Sequence, residues 1–129
     1  MKAYISTPIK REAQSRIVQR ALEEIGILVN NPCDIDGVHS NPAEIPKIVR
    51  DQCIAMMGKS DIGVLLLDYF GHDCAYEVGY MHSRQKPVYG VYVDRANVSD
   101  ESLKGLGQYQ FAITKIFNSV GDLVGFFRK

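Results

Sequence analysis

The chain has 129 residues, enough for one domain with a buried core and too few for two. Fifteen Lys and Arg balance fifteen Asp and Glu, which argues against nucleic acid or an anionic membrane as the main partner, while leaving room for a pocket that takes one phosphate. No apolar run reaches the roughly 18 residues of a membrane span, the opening MKAYISTPIK lacks the apolar core of a secretory signal, and Cys33, Cys53 and Cys74 fit neither a disulfide framework nor a zinc site, so a cytoplasmic protein is expected.

Residues 1–129 contain no internal repeat, low-complexity tract or linker, and a single domain is expected. Residues 2–6 (KAYIS) form a β-prone run broken by Thr7-Pro8. Ala13, Ile17, Ala21, Leu22 and Ile25 recur at helical spacing over 11–25, and Gly26 ends that helix. Ile27-Leu28-Val29 reads as a second strand, and the turn-forming segment 30–43 as a long loop. A helix at 44–58 carries Ile45, Ile48, Val49, Ile54 and Met57 on its apolar side. The run 62–67 (IGVLLL) is apolar on both faces, as a central parallel strand covered by helices should be. The turn DYFGH then leads into a helix over 73–85, and Pro87 opens the strand VYGVYV. A short helix near 100–106, a fifth strand from Phe111 to Phe117 and a helix over 119–128 close the chain.

Alternating strands and helices imply a parallel sheet with helices on both faces. The expected fold is an α/β flavodoxin-like (Rossmann-like) three-layer sandwich, with five parallel strands in the order 2-1-3-4-5. Ligands of such sheets bind beyond the carboxyl ends of the strands, at the switch point between the first and third strands. That places YISTPIK beside DYFGHDCAYE.

Within the second segment Asp73 is expected to cap the following helix and leave Glu77 in its first turns, where the helix dipole favours a charged carboxylate. Acidic residues are common there for structural reasons alone. A carboxylate held ionised beside a dry pocket can also attack a sugar anomeric carbon and form a covalent intermediate. Gly79 is expected to let this helix approach the sheet. Asp68, at a strand end, either contacts sugar hydroxyls or caps the turn. His72 is a proton donor to a leaving base or simply a polar loop residue. Lys10, with the amides of loop 71–73, is a candidate 5'-phosphate site, although a lone surface Lys usually has no specific role. Tyr76, Tyr80, Tyr89 and Tyr92 read as packing, and Cys53 and Cys74 as small buried fillers.

The segment SDIGVLLLDYFGHDCAYEVGYMHSRQKPVYGVYVD resembles the nucleoside 2-deoxyribosyltransferase family and its relatives, the 2'-deoxynucleoside 5'-phosphate N-hydrolases. The matching features are Asp61 at a strand start, the polar loop 68–76, Glu77-Val78-Gly79-Tyr80, and Lys86-Pro87 before the next strand. Tyr4 and the loop Ser6-Thr7-Pro8-Ile9-Lys10 resemble that family's first strand and sugar loop. The resemblance runs in order along nearly the whole chain. It implies that Glu77 is the nucleophile and that Tyr4 orients it. It implies substrate contacts from Ser6, Thr7, Ile9, Lys10, Asp68, Gly71 and Asp73, and from Asp100 lent to a neighbouring subunit. Gly71 stands where the transferases have an Asp and the nucleotide hydrolases a Ser. Asp73 stands where a Gly is usual, and Cys53 where an Asp lies near the base. Asp51 cannot replace that Asp, because two residues along a helix is a turn of about 200°.

The activity so implied is cleavage of the N-glycosidic bond of a nucleoside or nucleoside 5'-monophosphate through a glycosyl-Glu77 intermediate, with retention of configuration. The sugar passes to water or to a second base. The resemblance also implies no metal or organic cofactor, and a homodimer or larger homo-oligomer. The alternative is a non-catalytic nucleotide-sensing module of the same fold, for which the departures at Cys53 and Gly71 speak. A phosphoacceptor receiver domain needs acidic residues where Ser6-Thr7-Pro8 stands, and a dinucleotide-binding domain needs a glycine pattern the first turn lacks.

Overall fold

The computed structural model describes residues 1–35, 45–69, 71–94 and 111–128; of Ile45, Pro46, Ile48 and His72 only the backbone is described. The strands are β1 (Lys2–Ser6), β2 (Leu28–Asn30), β3 (Ile62–Leu66), β4 (Val88–Val91) and β5 (Lys115–Phe117). The helices are α1 (Glu12–Glu23), α2 (Ile45–Gly58), α3 (His72–Ser83) and α4 (Val120–Phe127). Every strand pair is parallel and the sheet order is β2-β1-β3-β4-β5, as expected.

All five residues of β3 are buried, because this strand is covered on both faces. One face carries Tyr4, Leu65, Leu67 and Val88, packed against Cys53 and Met57 of α2 and Val78 and Met81 of α3. The other carries Ala3, Ile5, Val64, Leu66 and Val91, packed against Val18 and Leu22 of α1 and Leu123 of α4. The close approach assigned to Gly79 falls elsewhere: a Cβ on Gly79 would meet nothing within 4 Å. At Gly90 a Cβ would come within 2.9 Å of Leu67 Cδ1, so Leu67 packs where it does against a missing side chain and would have to shift for any other residue.

Polar contacts set the height of the elements. Asp61 starts β3 against β1: its amide donates to the Lys2 carbonyl at 2.8 Å, and its carboxylate accepts from the Lys2 amide at 2.8 Å. Lys86 Nζ donates to the carbonyls of Met57 (2.8 Å), Gly58 (3.0 Å) and Ser60 (2.8 Å). That ammonium thereby closes the C-terminal end of α2, where carbonyls lack helical partners and cations are favoured.

Several local expectations shift. The buried face of α1 is Ser15, Val18 and Leu22, while Ile17 is exposed. Ser15 is tolerated inside because its hydroxyl donates to the Glu12 carbonyl at 2.9 Å and accepts from Asn31 Nδ2 at 3.2 Å. A 3-10 turn at Ile9–Arg11 precedes α1, and Gly26 follows it with φ +87°, the left-handed geometry glycine favours. β2 extends to Asn30, and the loop after it holds a 3-10 turn at Pro32–Asp34 capped by the Asn31 side chain. α3 starts one residue early, with Gly71 at the N-cap; Asp73 therefore lies inside the first turn and does not cap it. β5 is limited to Lys115–Phe117. The helix near 100–106 and most of the loop 30–43 lie outside the described residues.

Candidate active site

Strand alternation sends Tyr4 and Ser6 to the sheet face covered by α2 and α3. Glu77, in the second turn of α3, points back at them and is only 8% exposed. The Tyr4 hydroxyl donates to Glu77 Oε2, and the Ser6 hydroxyl donates to Oε1 at 2.8 Å. Each carboxylate oxygen therefore has its own donor.

Burial raises the Glu77 pKa above the ordinary carboxylate value, and nearby Asp73 adds to it; hydrogen bonds from Tyr4, Ser6 and the Cys53 thiol act against that rise. Burial, reinforced by the adjacent Glu77 charge, pushes Tyr4 far above the usual phenol range, so it stays a donor. Burial also pushes the Cys53 thiol up to about 12. Cys53 is thus a neutral neighbour of Glu77 at physiological pH.

Two cavity lobes of about 350 Å³ and 330 Å³ adjoin at Glu77 and share Ile9, Val49, Cys53 and Asp73 as lining. The first lobe runs along α2 past Ile54 and Met57 towards Arg50 and Tyr76. The second lies between the loop after β1 and the start of α3, lined by Thr7, Pro8, Pro32, Gly71 and Cys74. Thr7 ties the two switch-point loops together through its hydroxyl, which donates to the Tyr69 carbonyl at 3.2 Å. Among the described residues no cluster of His, Cys, Asp or Glu is arranged to hold a metal ion.

Of the sequence candidates, Glu77, Thr7, Ile9, Gly71 and Asp73 line this cleft. Ser6 is turned towards Glu77. Lys10 is exposed on the 3-10 turn and lines neither lobe. Asp68 is committed elsewhere: its carboxylate accepts from the amides of Val93 and Asp94 and holds the chain leaving β4. That is the cap-like alternative for Asp68, applied to a distant turn. Asp100 and the His72 side chain lie outside the described residues. Sequence reasoning passed over Arg50 and took Ile54 and Met57 as core, yet with Cys53 they form a stripe that lines the first lobe. Its i, i+3, i+4, i+7 spacing was the available signal. Tyr76, read as packing, stands 55% exposed at the rim of that lobe.

A doubly wound α/β sheet with a buried, doubly hydrogen-bonded carboxylate at its switch-point cleft defines a class of small-molecule site. The nucleoside 2-deoxyribosyltransferase family model matches residues 3–117, and the chain belongs to that family. Among solved structures, the fold is similar to that of a 2-deoxyribosyltransferase from Bacillus psychrosaccharolyticus, with TM-score 0.71 and 16% identity over 96% of this chain and 90% of the other. A conserved protein from Enterococcus faecalis V583 superposes with TM-score 0.66 and 20% identity, covering 97% and 95% of the two chains. A CMP N-glycosidase from Clostridium botulinum does so with TM-score 0.54 and 12% identity over the full length of both. No curated protein matches the chain.

Proposed function

We propose that this protein cleaves the N-glycosidic bond of a nucleoside or nucleoside 5'-monophosphate, with Glu77 as the nucleophile. The observation that carries the reading is a carboxylate, buried yet held by two hydroxyl donors, at the junction of two ligand-sized lobes. The second lobe, under Thr7 and Pro8 and against the start of α3, takes the sugar and its 5' substituent. The first lobe, with Ile54, Met57 and the rim ring of Tyr76, takes the base.

A Glu77 oxygen attacks C1' and forms the C–O bond as the C1'–N bond breaks, its electron pair leaving with the base. Water or a second base then takes the sugar from Glu77, and the two displacements together retain configuration. Lys10, which follows the loop that lines the second lobe, and the amides of residues 71–73 supply the sites for a 5'-phosphate. Asp100 serves a neighbouring subunit's pocket in a homodimer or larger assembly.

The test is a chromatographic screen of nucleosides and 5'-monophosphates for free base, repeated with a second base present to separate transfer from hydrolysis. A slow 2'-fluoro substrate should leave a sugar adduct on Glu77, read by peptide mass spectrometry. Binding of these compounds without base release would favour the sensing module instead. An adduct on Asp73 would mean that the wrong carboxylate has been assigned.

A further inference from the structure

We propose that Ser6 is a positioning residue for the nucleophile: its hydroxyl and that of Tyr4 clamp one oxygen each of the Glu77 carboxylate, fix its plane and favour its charged form. Ser6 therefore serves Glu77 and not the sugar. The inference rests on the reading of Glu77 as nucleophile and adds a second donor to it.

The clamp follows from strand geometry. Tyr4 and Ser6 are two residues apart on β1 and so lie on one face, a pleat apart, the long side chain deeper and the short one nearer the cleft. Both are buried, at 0% and 4% exposure. They meet Oε2 and Oε1 respectively, so neither donor duplicates the other. A carboxylate's terminal torsion is broad, and one donor would leave it free to turn; two donors on different oxygens do not.

Two donors also suit both halves of the reaction. When one oxygen forms the bond to C1', the other becomes the ester carbonyl and keeps a hydroxyl donor, whichever oxygen attacks. When the C1'–O bond breaks, the electron pair returns to the carboxylate, and both hydroxyls stabilise the charge that reappears.

The groups facing Glu77 and its clamp come from three elements: Tyr4 and Ser6 from β1, Cys53 from α2, and Asp73 and Cys74 from α3 itself, the Cys74 thiol beside Ser6 and held protonated by burial. Burial keeps the Tyr4 phenol and the Cys53 thiol protonated across the neutral range. Asp73 is the other carboxylate in the cleft, and Asp73→Asn is the control that removes it.

The experiment compares wild type and Ser6→Ala by two readouts. One is the pH profile of base release; the other is NMR titration of Glu77 in protein carrying 13C-carboxyl glutamate, with Glu77→Gln giving the assignment. Loss of a hydroxyl donor to the charged form raises the Glu77 pKa. Both readouts should move to higher pH by about one unit, a tenfold change in the ionised fraction on the acid side. Turnover should fall while KM stays within about twofold, and Ser6→Thr should recover the wild-type limb. An unmoved titration overturns the clamp. So does a raised KM with the acid limb in place, which would return Ser6 to the sugar, or a lower melting temperature alone. If Ser6→Ala does not fold, Ser6→Cys keeps a weaker donor and should show the same shift, smaller. Should wild type release no base at all, the enzymatic reading fails, while the NMR titration still decides whether Ser6 holds Glu77 in its charged form.

Discussion

Replacing Glu77 with Gln keeps the length and planar end of the side chain and removes its charge. Both hydroxyls can stay bonded, one donating to the amide oxygen and the other turning to accept from the amide nitrogen. Two hydrogen bonds to a charged group, each worth about 1.5–3 kcal/mol, become neutral ones worth about 1 kcal/mol, a loss of roughly 1–4 kcal/mol in all. Against it stands the cost of burying an ion, several kcal/mol. Desolvation is also the largest influence on Glu77, so it outweighs the donors and the variant should be at least as stable as wild type at neutral pH. The pH dependence fixes the sign. The folded pKa of Glu77 is raised, so its contribution to stability is fully present below the unfolded value and is lost as pH rises through the folded one. Gln cannot ionise, and the melting-temperature difference, variant minus wild type, should therefore grow as pH rises from 4 towards 8. Turnover in base release should fall by more than the 10²–10⁴-fold typical of lost acid–base help, because the covalent route is gone. The assays are melting curves across pH and chromatographic base release. A stability difference that stays flat or shrinks with pH would refute the argument from burial, and an active Glu77→Gln enzyme would refute the nucleophile.

Asp68→Ala removes the acceptor for the Val93 and Asp94 amides and should cost about 1–3 kcal/mol in urea unfolding with KM unchanged; a raised KM at full stability would return Asp68 to the sugar. Lys86→Met takes the cation from three carbonyls at the end of α2 and should cost about 1–2 kcal/mol, and the looser α2 wall should raise KM more than it lowers turnover. Cys53 lines the cleft, yet its thiol, pushed up to about 12, should alkylate slowly with iodoacetamide and about tenfold faster per pH unit from pH 7 to 10; a rate independent of pH, read by peptide mass spectrometry, would contradict its buried, protonated state.

What the sequence carried by itself is what local periodicity and chain punctuation encode. The continuous apolar run of β3 read most clearly as a strand covered on both sides, and Gly26 as the stop after α1, where the structure gives it a positive φ. Alternating strands and helices then led to the sheet order, since parallel connections leave few topologies open. Local signals failed where a partner distant in the chain changed the outcome. Ser15 is buried on α1 in place of Ile17 because Asn31 and the Glu12 carbonyl satisfy its hydroxyl. Asp68 read equally well as a cap or a ligand and Asp73 as a helix cap, and only the folded chain turns the first to the amides after β4 and the second into the cleft. The Arg50–Met57 stripe was legible as a helical face, but nothing within α2 said that it would face a cavity. The contacts of Tyr4 and Ser6 with Glu77 span 73 and 71 positions. Whether the two hydroxyls reach separate oxygens depends on the register of β1 against β3 and on the height at which α3 begins, and those are set by packing across the whole sheet.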